Sequence, residues 1–95
     1  MELTGKQRAA LRAMANGIPV VLYIGKEGMG ENTVREAYDA LEARELIKCA
    51  VQENAPMGAR EACEALCART GASPVQCVGK KFVIYRESRE KRIQL

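Results

Sequence analysis

The sequence predicts one α/β domain, of the α+β kind, with the order αβαβαββ. Three helices should flank a mixed four-stranded sheet. Three observations carry this. Ninety-five residues suit one domain. Segments of helical period alternate with short β-branched apolar runs, and strands separated by helices are usually parallel. The last two apolar runs meet at Gly79-Lys80, which reads as a tight hairpin and adds one antiparallel strand.

The elements follow in order. Thr4 to Gln7, "TGKQ", is a capping box: the Thr4 hydroxyl can accept from the Gln7 N–H while Gln7 reaches back. Gln7, Ala10, Leu11 and Met14 share one face of the resulting helix, Arg8 and Arg12 lie one turn apart on another, and Gly17 fits its stop. The run from Ile18 to Ile24 is continuously apolar and reads as a strand buried on both faces, with Pro19 near its start. A second helix spans about Glu31 to Arg44, with Val34, Ala37, Tyr38 and Leu41 as its apolar stripe and Met29 placed to staple onto Val34. Leu46 to Val51 forms the second strand. The third helix runs from Pro56 to a stop at Gly71, with Ala59, Cys63, Leu66 and Thr70 along its inner edge. "SPVQCVG" and "KKFVIYR" are the hairpin strands. A polar, basic tail of about residues 87–95 ends in Ile93 and Leu95, which should dock back.

The net charge of +3 is unevenly spread. Residues 1–15 carry +2 and residues 80–95 carry +4, whereas residues 16–79 carry −3. If the ends meet in space they form one basic surface, the footprint expected of a nucleic-acid binder; if not, they are solvated charge. No apolar run is long enough to span a bilayer, and the first ten residues lack signal-peptide architecture, so a cytoplasmic protein without membrane contact is expected. Cys49, Cys63, Cys67 and Cys77 form no Cys-x-x-Cys pair and the chain has no His, so buried thiols rather than a metal site are expected. Without His, acid–base chemistry would fall to carboxylates, and Glu36, Asp39 and Glu42 line a solvated helix face. The expectation is a non-catalytic protein with no cofactor, metal or small-molecule substrate.

One stretch asks for a special explanation. Gly25 to Asn32, "GKEGMGEN", places three glycines where the first strand passes into the second helix. Glycine permits a close backbone approach, and a helix N-terminus attracts anions. A nucleotide-binding P-loop is excluded because Glu31-Asn32 stand where Lys-[Ser/Thr] is required. The dinucleotide fingerprint is excluded because the spacing is G-x-x-G-x-G, not G-x-G-x-x-G. There remains G-x-x-G at Gly25-Lys26-Glu27-Gly28. It is either a turn that ends a strand or a clamp for a nucleic-acid backbone, as in KH domains. Lys26 is the side chain best placed for phosphate, and Glu27 would weaken such a loop unless it points away.

"LTGKQRAALRAMAN", "VVLYIGKEGMGENTVREAYDALEARELIK" and "TGASPVQCVGKKFVIYR" together resemble a CRM domain (chloroplast RNA splicing and ribosome maturation), in particular the small stand-alone YhbY-like bacterial proteins. The resemblance covers nearly the whole chain. It implies a fold similar to the C-terminal domain of translation initiation factor three. It also implies binding of ribosomal RNA in the maturing large ribosomal subunit. The family's loop falls on Gly25, Lys26, Glu27 and Gly28. Its basic surface would include Lys6, Arg8 and Arg12 of the first helix and Lys80, Lys81 and Arg86 around the last hairpin. Gly30 stands where family members commonly have Thr.

The expected protein is therefore a monomeric RNA-binding module with the precursor large subunit as partner. The rival reading is a protein-interaction domain that docks on a ribosomal protein or assembly factor. Tyr23 and Tyr38 read as core, as does Tyr85 in preference to base stacking. Lys48 is placed to pair with an acid across the sheet, and Arg86 offers a similar alternative to RNA contact.

Overall fold

The first helix starts where the capping box puts it. In the computed structural model, which describes residues 2–95, the Gln7 N–H donates to Thr4 Oγ1 at 3.1 Å and the Thr4 N–H donates to Gln7 Oε1 at 3.0 Å. Met1 of the expected 1–95 domain lies outside the described residues. Helix α1 runs Gly5–Ala15, followed by β1 (Val20–Ile24), α2 (Glu31–Arg44), β2 (Leu46–Val51), α3 (Ala59–Thr70), β3 (Ser73–Val78) and β4 (Lys81–Tyr85). The sheet order is β1-β2-β4-β3. β1 and β2 are parallel, and β4 is antiparallel to both neighbours. This is the expected mixed sheet with three helices.

The two sheet faces bury different clusters. Leu22, Ile24, Ile47, Cys49, Val51, Phe82 and Ile84 meet Ala37 and Leu41 of α2 and Ala59, Ala62, Cys63 and Leu66 of α3. The opposite face sets Leu46, Val75, Val83 and Tyr85 against Leu3, Leu11 and Ala15. Strand alternation produces this sorting, since successive side chains point to opposite faces. The cysteines divide between buried Cys49 and Cys63 and half-buried Cys67 and Cys77. Burial, then the neighbouring Cys63, pushes the Cys49 thiol up to about 12, which keeps it neutral and unreactive.

Several expectations change. β1 is not buried on both faces: it is an edge strand, with Val20 and Val21 half-buried and Tyr23 59% exposed. A continuous apolar run does not distinguish an edge from a central strand. The inner face of α1 is Leu11 and Ala15; Ala10 and Met14 are exposed. Helix α3 begins at Ala59 behind Gly58, not at Pro56, because Pro56 and Met57 are drawn against Gly28 in the neighbouring loop. Its inner edge is as expected, with Ala59, Cys63, Leu66 and Thr70 buried, and Gly71 ends it in the left-handed region at φ 78°. In the tail Ile93 packs onto the second cluster, whereas Leu95 stays exposed.

Candidate functional site

The glycine loop is shaped by its neighbours. The Gly28 N–H donates to the Gly25 carbonyl at 3.0 Å, closing a turn over Lys26 and Glu27. Gly28 is buried with φ 64°, and a Cβ there would lie 2.9 Å from Pro56 Cγ. A Cβ on Gly25 would lie 2.8 Å from Gln52 Oε1. Gly28 is therefore required by close approach of the β2–α3 connection, whereas at Gly25 the neighbour is the far end of the exposed Gln52 side chain, which can swing aside. Position 28 admits only glycine without strain, and the result is a tight turn that leaves Lys26 and Glu27 in solvent. Gly30 is the N-cap of α2 and supplies no side-chain hydrogen bond.

Part of the basic charge of the two chain ends lies on one side of the sheet: α1 packs on the face that also carries Lys81, whereas Arg86 lies on the other side. α1 carries Lys6, Arg8 and Arg12 and no acid. It packs beside β4 and the tail, where Ile93 joins Leu3, Leu11 and Tyr85. Arg8 is half-buried, and its Nε donates to the Pro74 carbonyl at 3.3 Å on edge strand β3. Lys6 and Arg12 are exposed. Lys81 is exposed on β4, opposite Ala50 and Val78. Lys80 forms a solvent-exposed ion pair with Glu53. Lys48 lies opposite Val20 and Val83 and finds no acid across the sheet, because no strand contains one.

Arg86 is the sequence-predicted site residue most fully engaged within the protein. It donates to Glu42 Oε2 at 2.6 Å and to the Thr70 carbonyl at 3.0 Å, and its guanidinium lies 4.2 Å above the Tyr38 ring. It joins α2, α3 and the end of β4 on the side away from α1. Tyr38, expected in the core, is half-exposed beneath it. Tyr85 is core, as favoured. A broad groove of about 640 Å³ between α2 and α3 mixes Arg35 and Arg69 with Glu31 and Asp39 around Val34 and Tyr38. Its mixed charge suits a polyanion poorly. Among the described residues, no group of three or more Cys, Asp or Glu is arranged to hold a metal ion, and no helix is long and apolar enough to cross a membrane.

Glu45 is the residue whose role sequence reasoning missed. It ends α2 with φ 67° and is fully buried. Its Oε2 accepts from the Ser88 N–H at 2.8 Å, the Ser88 hydroxyl at 2.6 Å and the Arg92 N–H at 3.0 Å; Oε1 accepts from the Ile93 N–H at 2.6 Å. Burial alone would raise its pKa, but the hydrogen bonds from Ser88, Ile93 and Arg92 prevail and hold it at about 2. This carboxylate fastens the basic tail to the domain. The available signal was a glutamate at a helix end where glycine usually stands.

The comparisons agree with this architecture. The CRS1 / YhbY (CRM) domain model matches residues 3–86, and the chain belongs to that family. It is 39% identical over 94 residues to "Probable RNA-binding protein YqeI" of Bacillus subtilis, covering 98% of both chains. It is 33% identical over 93 residues to an "RNA-binding protein" of Haemophilus influenzae, covering 98% of this chain and 94% of the relative. The solution structure of SAV1595 from Staphylococcus aureus superposes with a TM-score of 0.81 at 43% identity, covering 96% and 95% of the two chains.

Proposed function

We propose that this protein is a monomeric, non-catalytic, cytoplasmic RNA-binding module. Its partner is ribosomal RNA in the precursor of the large ribosomal subunit. The observation that carries the RNA reading is the gathering of basic charge on the α1 side of the sheet: Lys6, Arg8, Arg12, Lys48 and Lys81 face no strand carboxylate. Family membership and the names of the relatives support the same reading. The ribosomal assignment follows from what the family resemblance implies.

The loop contributes Lys26 on a turn whose shape Gly28 fixes. Arg8 and Lys80 act as secondary contacts, because each already has a protein partner. Arg86 serves the interface only by holding α2, α3 and β4 together. Contacts to phosphate dominate such a surface, so affinity falls steeply with salt and sequence preference is modest.

The test is fluorescence anisotropy of a labelled large-subunit ribosomal RNA fragment across a salt series, followed by co-sedimentation with precursor subunits. Salt-sensitive binding and ribonuclease-sensitive co-sedimentation are expected. Salt-insensitive, ribonuclease-resistant co-sedimentation would show a protein-docking module instead.

A further inference from the structure

Helix α1 covers only part of its sheet face. It packs on Leu46, Val75, Val83 and Tyr85. Beyond them lies a row of directly paired residues that crosses all four strands. Tyr23 pairs with Ala50, Ala50 with Lys81, and Lys81 with Val78. Paired residues point to the same face. The ends of the row are open: Tyr23 is 59% exposed and Val78 is 64% exposed. The next row on this face holds Lys48 opposite Val83, with Gln76 on its other side. A shallow hollow of about 200 Å³ lies between the two rows, lined by Lys48, Gln76, Val78, Lys81, Phe82 and Val83.

We infer that this open row is a stacking platform for an unpaired RNA base, with Tyr23 as the stacking residue and Lys48 and Lys81 as phosphate contacts. The inference rests on the RNA-binding reading and adds a second kind of contact to it. Three features select this occupant. Leu22 and Ile24 are buried on the other face, so strand alternation turns the Tyr23 ring outward onto an open pleated surface. Charge is complementary to a polyanion: the charged residues in the four strands are Lys48 and Lys81, both on this face, and no strand contains an acid. The row also begins two residues before Gly25 and ends beside the β3–β4 hairpin, so it bridges Lys26 and Lys80. Three inter-strand gaps make it about 14 Å wide, and an aromatic ring in a basic groove is the usual way to hold single strands without sequence readout.

The experiment uses the full chain and a fluorescein-labelled single-stranded RNA of about 12 nucleotides, with a blunt duplex of the same strand as comparison. Tyr23→Ala is expected to weaken single-strand binding about tenfold while the salt slope is kept. Duplex binding should stay within about twofold, because paired bases offer no free face. Tyr23→Phe should bind like wild type. The chain has no Trp, so Tyr23→Trp supplies a lone indole whose emission should be quenched when the single strand binds. Thermal melting of each variant checks folding, and the Phe and Trp variants keep the test open should Tyr23→Ala melt early. The platform is overturned if Tyr23→Ala binds both RNAs like wild type, if Phe loses as much as Ala, or if bound Tyr23→Trp is unquenched. In those cases a Lys26→Asp variant that still weakens binding leaves the RNA reading standing. If wild type binds neither RNA at low salt, both readings fall and the row becomes a protein-docking surface.

Discussion

The two faces of the sheet are built from the same four strands but are finished differently. On one face α2 and α3 together bury Leu22, Ile24, Ile47, Cys49, Phe82 and Ile84. Their outer surfaces alternate acids with arginines, as in the Glu31, Arg35, Asp39 and Arg69 groove. On the other face a single helix packs on β2, β3 and β4, carries three basic residues and leaves Tyr23, Lys81 and Val78 in solvent. The larger core cluster lies on the face that two helices cover, and the proposed recognition surface lies on the face that one helix leaves partly open. In a domain this small, one helix fewer on a face is enough to create an open surface, because strand alternation presents side chains there whether or not anything packs on them.

The sharpest break of this comparison is a core truncation on the closed face. Leu41→Ala removes a fully buried side chain between α2 and the sheet. It should cost roughly 2–5 kcal/mol in urea unfolding, while the molecules that remain folded bind RNA with unchanged affinity.

Glu45→Ala should come next. Three N–H groups and the Ser88 hydroxyl lose their acceptor, at a cost of about 2–4 kcal/mol. The same group sets a pH dependence. Its carboxyl is held at about 2 in the folded protein, below its ordinary value of 4.5. Its contribution is therefore fully present above about pH 4.5 and is lost as pH falls toward 2. Thermal melting from pH 6 to about pH 2 should show a steeper decline in wild type than in Glu45→Gln.

Gly28→Ala should have a smaller effect, about 1–3 kcal/mol. The added methyl meets Pro56 and the residue must keep φ 64°. Gly30→Ala, where a Cβ meets nothing within 4 Å, should cost under about 1 kcal/mol. A difference between these two variants in chemical denaturation would separate the turn's packing role from the flexibility of the stretch as a whole.

The ease of reading these regions from sequence follows the locality of their causes. The capping box, the limits of α2 and β2, and the hairpin at Gly79-Lys80 depend on residues within a few positions, and all four are where the pattern placed them. The start of α3 depends on a distant glycine, and Pro56 gave a misleading local signal. Tyr23 and Tyr38 were misjudged because an apolar run or stripe does not show which edge of it lacks a neighbour. Arg86 and Glu45 depend on partners more than forty residues away in sequence. Gly25-x-x-Gly28 was visible as a special turn, but the contact that requires Gly28 comes from Pro56.

The smallest expected effects on stability fall on the basic face, where substitutions should change RNA binding and little else. Two double charge reversals should be compared by RNA anisotropy across a salt series. One is Lys26→Asp with Lys81→Glu, on the loop and the open face. The other is Arg35→Glu with Arg69→Glu, in the groove between α2 and α3. Two reversals of two units each take the net charge from +3 to −1 in either case, so overall attraction is matched. The first pair should weaken binding about tenfold or more and lower the salt slope by about one to two. The second pair should change affinity by less than about threefold. Equal losses from both pairs, or a larger loss from the second, would contradict the assignment of recognition to the α1 side of the sheet.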